Sequence, residues 1–336
     1  MPTWGEILQE VNLSAQQRAP NGPDLDGIRG KYINALHSLT ENAVIVYASS
    51  WLQWPRGDPA HQVEGRDVHA LMEVCHGVRQ RSLDFIIHSP GGSAEAAEQM
   101  INYLRTRFDY IRAIVPLQAK SAGTMLALGC DEIIIGTYSE LGPIDPQITY
   151  IVGGAPRQAP AHAILRDFSR AKAEVAGNVN LLGAWTPILA TYAGGLIEYC
   201  TQQIQLSRDI VAGWVERYML SHSGRGIPRG QRGSAAAAIA EYFCSDESYD
   251  RFRTHGRPIR IEELEGLRGF RVRRLNADQA LQDAVLSIYH ALDFTFLGPF
   301  AKIVENHISR RVVRPLSGVA FTMGSQPASP SPPASP

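Results

Sequence analysis

The sequence has few cysteines and lacks the short motifs by which metal and nucleotide sites are usually recognised. Its four cysteines, at positions 75, 130, 200 and 244, are widely spaced and form no Cys-x-x-Cys pair, which argues against a zinc ribbon and a disulfide framework. No His-Glu-x-x-His, Walker-type lysine loop or Gly-x-Gly-x-x-Gly occurs, so metalloprotease, nucleotidase and dinucleotide-binding functions have no motif. We expect reduced, buried thiols, with no metal and no cofactor.

The chain also carries little net charge. A formal charge of -1 gives no broad field for attracting nucleic acid or anionic lipid. Two arginine-rich stretches, Arg225–Arg232 and Arg268–Arg274, contain few aromatic residues, which favours solvated loops or subunit contacts over phosphate binding. We therefore expect no nucleic-acid partner, and a neutral polymer such as a peptide suits this charge balance.

One stretch of the sequence approaches the length of a membrane span, but its composition argues against one. Residues 1–24 lack the basic patch and apolar run of a signal peptide or anchor. Val175–Ile197 carries no charged side chain and approaches the roughly 20 residues that span a bilayer. Asparagine, threonine, proline and glycine interrupt it, which favours a buried or interface-forming segment. We expect a cytoplasmic protein without membrane association.

Composition divides the chain into three parts. Residues 1–24 are an N-terminal extension, 25–314 one large domain, and 315–336 a Pro- and Ser-rich tail predicted to be disordered. Apolar runs alternate with amphipathic runs, which predicts an α/β fold with a parallel sheet, helices on both faces and an added helical C-terminal region. The predicted strands are 43–47, 83–88, 110–117 and 132–136, and the predicted helices are 25–40, 68–78, 93–108, 122–129, 161–175, 195–220 and 277–308.

Two short segments, His88–Ser93 and Ala119–Thr124, each close a predicted strand and open a predicted helix. The carboxyl ends of parallel strands meet at one edge of a sheet, so these segments should lie together. Gly91 and Gly92 let a substrate carbonyl approach the backbone, and Ser121 stands beside the amide of Ala122 at a helix N-terminus. Taken alone, the Gly91–Gly92 segment could be only a tight turn, and Ser121 could be only a helix N-cap. Together they predict the oxyanion hole and nucleophile of a serine peptidase.

Three segments, Phe85–Met100, Ala119–Gly129 and Ser139–Gln147, resemble the Clp-fold serine peptidases, most closely the serine dehydrogenase proteinase (SDH) family. The resemblance implies a ClpP/crotonase-like fold of repeated ββα units and hydrolysis of peptide bonds in unfolded proteins or peptides. It also implies that this chain uses neither a metal nor ATP, and that it assembles into a homo-oligomer. By motif position, Ser121 would be the nucleophile, and Gly92 and Ala122 the oxyanion donors.

The sequence does not identify the general base. Where the Clp proteolytic subunit has a histidine, this sequence has Asp145, which either orients a base or caps its Pro-rich loop. The related signal peptide peptidases use a lysine several dozen residues after the serine. Lys172, 51 residues after Ser121, is therefore the first candidate, although it needs burial to lower its pKa or is simply an exposed helix residue. His162, 41 residues after Ser121, is the second.

Two other functions stay open on the sequence alone. Crotonase-type acyl-coenzyme A enzymes also stabilise an oxyanion with two backbone amides, but they need no serine nucleophile. A catalytically inactive Clp-fold scaffold is the other alternative, because no sure Ser-His-Asp set is visible. Two further polar residues are expected to be structural: Lys120 should point away from the serine hydroxyl, and His88 is expected in the core.

Overall fold

The computed structural model describes residues 3–54, 57–221 and 227–318, and this part of the chain contains eleven β-strands and twelve α-helices. The strands are β1 (Ala43–Ser49), β2 (Ser82–His88), β3 (Tyr110–Val115), β4 (Gln118–Ala119), β5 (Glu132–Ile135), β6 (Glu140–Leu141), β7 (Gln147–Val152), β8 (Ala155–Pro160), β9 (Val272–Arg274), β10 (Phe300–Asn306) and β11 (Arg311–Pro315). The helices are α1 (Trp4–Gln17), α2 (Leu25–Thr40), α3 (Asp67–Cys75), α4 (Ala94–Arg107), α5 (Ala122–Leu128), α6 (Ala161–Gly177), α7 (Leu182–Leu189), α8 (Leu196–Trp214), α9 (Arg232–Cys244), α10 (Asp246–Phe252), α11 (Ile261–Glu265) and α12 (Gln279–Thr295).

Seven strands form a central sheet in the order β11-β10-β1-β2-β3-β5-β9. The five strands from β1 to β9 are mutually parallel, whereas β10 runs antiparallel to β1 and β11 antiparallel to β10. β1 is buried along its whole length, as expected for a strand that is covered on both faces. A short parallel pair, β4 and β6, and an antiparallel hairpin, β7 and β8, lie outside the sheet.

Helices cover both faces of the sheet, as predicted. On one face α3, α4, α5, α8 and α9 pack around buried side chains such as Phe85 and Met100. On the other face α2 and α12 pack on β1 and β10 through residues such as Leu36 and Leu292. The predicted α/β class with its parallel core is confirmed.

The predicted helix 277–308 was wrong in its second half. α12 ends at Thr295, and the chain then turns through Gly298 and Pro299 into β10, which pairs with β1. Proline lacks a backbone N–H and disfavours helical backbone in the residue before it. Because β10 is buried at all but its first position, it lacks the alternation that reveals a half-buried strand.

Both ends of the described chain pack on the domain. In the predicted extension, α1 buries Ile7 against a cluster that includes Ile28 and Phe294. At the other end, the predicted tail begins inside β11, and the Ser317 hydroxyl donates to Asp58 Oδ1 at 2.7 Å. The rest of that tail, 319–336, and positions 222–226 of the arginine-rich loop lie outside the described residues.

The uncharged stretch 175–197 is not a buried core segment. It covers the end of α6 and all of α7, where Trp185 is buried but Val179, Leu182 and Ile188 are exposed. Among the described helices, none combines the length and apolar character needed to cross a bilayer. All four cysteines are free and buried, which confirms the expectation of buried thiols.

His88 provides a test of the core through pH. It ends β2 and is fully enclosed, and its ring lies 5.2 Å from that of Tyr289. Burial lowers the pKa of His88 from 6.5 to about 4. The unfolded chain therefore binds the proton more readily, so the stability contributed by neutral His88 is present above pH 6.5 and is lost as the pH falls towards 4.

We expect the free energy of unfolding to fall by about 3 kcal/mol more between pH 6.5 and 4 in the wild type than in a His88→Gln variant. Urea titrations at a series of pH values measure this difference. The exposed His69 supplies the control, since His69→Gln should keep the wild-type slope. Equal slopes for His88→Gln and the wild type would contradict the burial of a neutral imidazole.

Candidate active site

Ser121 occupies a strained turn between β4 and α5. Its backbone has φ 50° and ψ -118°, a left-handed conformation that non-glycine residues seldom adopt and that concentrates at functional sites. The side chain makes no N-cap hydrogen bond to α5, so the capping alternative does not account for it. Ser121 is half-buried and lines a cleft. The strained turn therefore presents an uncommitted hydroxyl to a cavity.

The two motifs predicted to meet are joined by backbone hydrogen bonds. Ser89 N–H donates to the Gln118 carbonyl at 3.1 Å, and Lys120 N–H donates to the Ser89 carbonyl at 2.9 Å. These bonds hold the turn after β2 alongside the residues that lead into Ser121. A Cβ added to Gly91 would lie 2.6 Å from the Ser121 Cβ, closer than real side chains approach. Glycine is required at this position because the two turns touch.

The turns leave two amides for an oxyanion. Gly91 N–H is occupied, since it donates to Ser89 Oγ at 3.2 Å. Within the described chain, no acceptor is recorded for the N–H groups of Gly92 and Ala122. Ala122 is the first residue of α5, where backbone N–H groups have no partner inside the helix. Gly92 and Ala122 are therefore the available donors, while Gly91 contributes the close approach to Ser121.

A cleft of about 560 Å³ opens in front of these amides. Polar and apolar side chains both line it, and the β7–β8 hairpin and α8 contribute residues to its wall. Its lining includes Trp51, Trp54, Asp58, His61, Gly91, Gly92, Glu95, Ser121, Ala122, Met125, Ile144, Gln147, Ile148, Gln158, Tyr199, Gln203 and His255.

His255 is the residue that the sequence did not reveal. It lies between α10 and α11, lines the same cleft as Ser121, and pairs through Nδ1 with Asp145 Oδ1. Asp145 is 6% exposed at its side chain and also accepts from Gln147 Nε2 at 3.1 Å. A histidine held at Nδ1 by a buried carboxylate has its Nε2 atom left for proton transfer. Asp145 thus orients an imidazole rather than only capping its loop.

Three contacts bring the His255 segment to the serine turn. Thr124 Oγ1 in α5 donates to the Gly142 carbonyl at 3.0 Å, which holds the loop before Asp145 against the helix of Ser121. Leu141 and Ile259 form an antiparallel bridge. Lys120 Nζ lies 3.5 Å from the carbonyl of Gly256. These contacts hold the chain next to His255 close to the chain next to Ser121.

Lys120 itself points away from the serine hydroxyl. Its Nζ lies 2.6 Å from Glu140 Oε1 and donates to the Leu141 carbonyl at 3.3 Å. Burial lowers the pKa of Lys120, although the adjacent Glu140 opposes this effect. The lysine therefore fastens the loop that carries Asp145.

The structure does not bring the two base candidates chosen from the sequence to this cleft. Lys172 is exposed on α6 and does not line it. His162, at the start of α6, is buried away from the cleft, where its Nδ1 lies 2.7 Å from Asp246 Oδ1 and its ring stacks on Tyr249. α6 packs on α10 on that side, and its outer side faces solvent. Two imidazoles, His61 and His255, line the cleft with Ser121. His61 Nε2 lies 3.1 Å from Ser50 Oγ, whereas His255 is the one paired with Asp145.

His255 left no local signal because it follows the serine by 134 residues and belongs to no recognised motif. The only indication was Asp145, a carboxylate that needed a partner. Among the described residues, no group of three or more His, Cys, Asp or Glu side chains is arranged to hold a metal ion.

Residues 67–185 match the family model of the ClpP-like SDH-type serine proteinases. This matched segment, about a third of the chain, contains Ser121 and both glycines. His255 lies outside the matched residues.

Two curated relatives are uncharacterised proteins of Methanocaldococcus jannaschii. MJ0137 is 36% identical over 112 residues, which are 33% of this chain and 36% of the relative. MJ1495 is 37% identical over 100 residues, which are 30% of this chain and 32% of the relative. The chain thus spans about a third of the length of the curated relatives it matches.

Two similar solved structures are alanine variants of 1510-N, a membrane-bound stomatin-specific protease. One is 17% identical, with 64% of this chain and 77% of the other covered and a TM-score of 0.34. The second, in complex with a substrate peptide, is also 17% identical, with 63% and 70% covered and a TM-score of 0.33.

The contact between Gly91 and Ser121 is tested by Gly91→Ala. The added Cβ also meets the Lys120 carbonyl at 2.7 Å, and the backbone φ of 101° disfavours any side chain. We expect the variant to lose more than about 1 kcal/mol of stability, as measured by urea unfolding. Gly30→Ala in α2 is the control, because nothing lies within 4 Å of its added Cβ, and it should be as stable as the wild type or more so. Wild-type stability of Gly91→Ala would contradict the close approach.

Proposed function

We propose that this protein is a serine endopeptidase in which Ser121 is the nucleophile and His255, oriented by Asp145, is the general base. The observation that carries the proposal is the shared cleft. It contains an uncommitted serine hydroxyl on a strained turn, two backbone amides without acceptors among the described residues, and an imidazole paired with a buried carboxylate. The match of residues 67–185 to the model of the ClpP-like SDH-type serine proteinases supports the same chemistry.

In the proposed reaction, these groups act in sequence. His255 Nε2 accepts the proton of the Ser121 hydroxyl as Oγ bonds to the carbonyl carbon of the substrate, and Asp145 stabilises the resulting imidazolium. The carbonyl oxygen becomes an oxyanion that the amides of Gly92 and Ala122 bind. The imidazolium then protonates the leaving amine. Water, activated by the same imidazole, hydrolyses the acyl-enzyme and regenerates the serine.

The character of the cleft supports an unfolded peptide as substrate. Trp51, Trp54 and Tyr199 provide aromatic surface, and Gln147, Gln158 and Gln203 provide side-chain amides. No lysine or arginine lines the described part of this cleft. Such a surface suits extended chains with apolar side chains, which bind by burial and by hydrogen bonds to their backbone.

The proposal includes a cytoplasmic, ATP-independent enzyme that forms a homo-oligomer. The missing nucleotide-binding motif supports independence from ATP in this chain. Exposed apolar side chains between α6 and α8 support self-association, because large apolar patches on a surface mark interaction sites. They are Phe168, Val179, Leu182 and Ile188.

Substitutions at four positions test the base assignment. Ser121→Ala and His255→Ala should each lower kcat/KM for an unfolded protein such as casein by about 1,000-fold or more, because each removes a group from the proton-transfer pair. Lys172→Ala and His162→Gln serve as controls and should retain activity within about threefold, since neither residue lines the cleft. The measurement is steady-state cleavage of a fluorescent peptide or casein. Activity retained by His255→Ala but lost in Lys172→Ala would overturn the assignment.

Labelling separates the peptidase from a crotonase-type enzyme. A fluorophosphonate should modify the wild type and not Ser121→Ala, because the reagent requires an activated serine. Tight binding of a coenzyme A thioester without labelling would favour the acyl-coenzyme A alternative, and the absence of both would indicate an inactive scaffold.

The self-association surface is tested by Leu182→Asp, which places a charge at a side chain that is 51% exposed. We expect the variant to shift to a smaller species in light scattering, because a buried unpaired charge opposes an apolar interface. Leu39→Asp, at a 48% exposed leucine of α2, should leave the mass unchanged. A wild type that is monomeric at all concentrations would refute the proposed homo-oligomer.

A further inference from the structure

A group of buried charges lies directly behind the proposed oxyanion hole. Lys302 in β10 is 1% exposed, and its Nζ lies 2.7 Å from Oδ2 of Asp67, which is fully buried at the start of α3. Tyr47 in β1 donates its hydroxyl to the same Oδ2 at 2.6 Å. Arg314 in β11 pairs with Glu64 and, at 3.3 Å, with Asp67 Oδ1. We refer to these five residues as the buried charge network.

The buried charge network hydrogen-bonds the backbone of residues 62–64, the segment that pairs with the glycine turn. Lys302 Nζ donates to the carbonyl of Gln62 at 2.6 Å, and Glu64 N–H donates to Asp67 Oδ2 at 3.0 Å. Both residues that flank Val63 are therefore fixed by the Lys302–Asp67 pair. Because lysine and aspartate bond main-chain atoms here, they set the position of the backbone at residues 62–64.

Backbone hydrogen bonds of Val63 connect this segment to the turn that contains Gly92. Its N–H donates to the Gly91 carbonyl at 2.8 Å, and its carbonyl accepts from Ser93 N–H at 2.9 Å. The two backbones are in such close contact that a Cβ on Gly92 would lie 2.4 Å from the Val63 nitrogen. The direction of the Gly92 N–H is thus set by two hydrogen bonds, one on either side of it, to a segment that the buried charges hold.

We propose that Lys302 and Asp67 are positioning residues that aim the Gly92 amide at the oxyanion. The proposal rests on the peptidase function proposed above. Stability alone is a poor account of such a group, because a buried ion pair often contributes no more than well-packed apolar side chains would. Its hydrogen bonds to Gln62 and Glu64 give it a directional role that apolar packing lacks. An amide that must lie about 3 Å from a developing charge depends on such direction.

The chain offers a matched control on the same strand. Glu305, also in β10, forms a buried ion pair with Arg29 of α2 at 2.7 Å. This pair lies on the α2 and α12 side of the sheet and makes no recorded contact with residues 62–64 of the described chain. Loss of the Arg29–Glu305 pair should lower the stability of the fold as much as loss of the network does, without changing the geometry of the site.

Steady-state kinetics compares Lys302→Met with Arg29→Met. For Lys302→Met we expect kcat to fall by about 10- to 100-fold with KM within about threefold, since an oxyanion donor acts on the transition state. Arg29→Met should lose comparable stability and keep the wild-type kcat. A peptide boronate, which forms an oxyanion-like adduct with serine, should lose affinity in step with kcat. Equal kcat values in Lys302→Met and the wild type would overturn the proposal.

A second measurement does not depend on activity. In the Ser121→Ala background, the amide NMR resonance of Gly92 should shift on Lys302→Met and Asp67→Asn, and should stay in place on Arg29→Met. Lys302→Arg, which keeps the charge, should restore part of the resonance position and covers the case in which the methionine variant fails to fold. If the Gly92 amide shifts but no peptidase activity exists, the peptidase function fails and the positioning role stands. If the amide does not move, the positioning role fails whatever the activity.

Discussion

Contact between two backbone turns is the constraint on which the rest of the site depends. The turn after β2 and the turn before α5 exchange main-chain hydrogen bonds through Ser89 and Lys120. They approach so closely that only glycine fits opposite Ser121. This contact fixes the serine in a strained conformation and leaves the amides of Gly92 and Ala122 without internal acceptors in the described chain. One packing contact therefore brings the proposed nucleophile and the proposed oxyanion donors together.

Buried charge supports this contact from two directions. Lys120 and Glu140 fasten the loop of Asp145 on one side, and Lys302 and Asp67 hold residues 62–64 beside Gly92 on the other. Burying a charge costs free energy. In both pairs this cost is offset because the charged groups bond main-chain carbonyls or amides as well as each other. The site is thus framed by polar contacts whose direction matters.

The candidate general base shows how little spacing along the chain indicates about position in the fold. Lys172 and His162 lie at plausible sequence distances from Ser121, yet one faces solvent and the other faces α10. His255 reaches the cleft because Ile259 bridges Leu141 and Gly256 approaches Lys120. Spacing along a chain says little about a residue that follows a long helical segment, since such a segment can bring the chain back at many places on the domain.

The sequence by itself determined the parallel core, the meeting of the two motifs and the identity of Ser121 and its neighbouring amides as a candidate site. These features are local: each is encoded by a strand, a turn and a helix that follow one another, and parallel strands place their carboxyl ends at one edge. Only the tertiary structure decided that β10 is a strand, that His255 faces Asp145 and that Lys302 lies behind Gly92. Those features depend on contacts between residues more than a hundred positions apart, which no local pattern specifies.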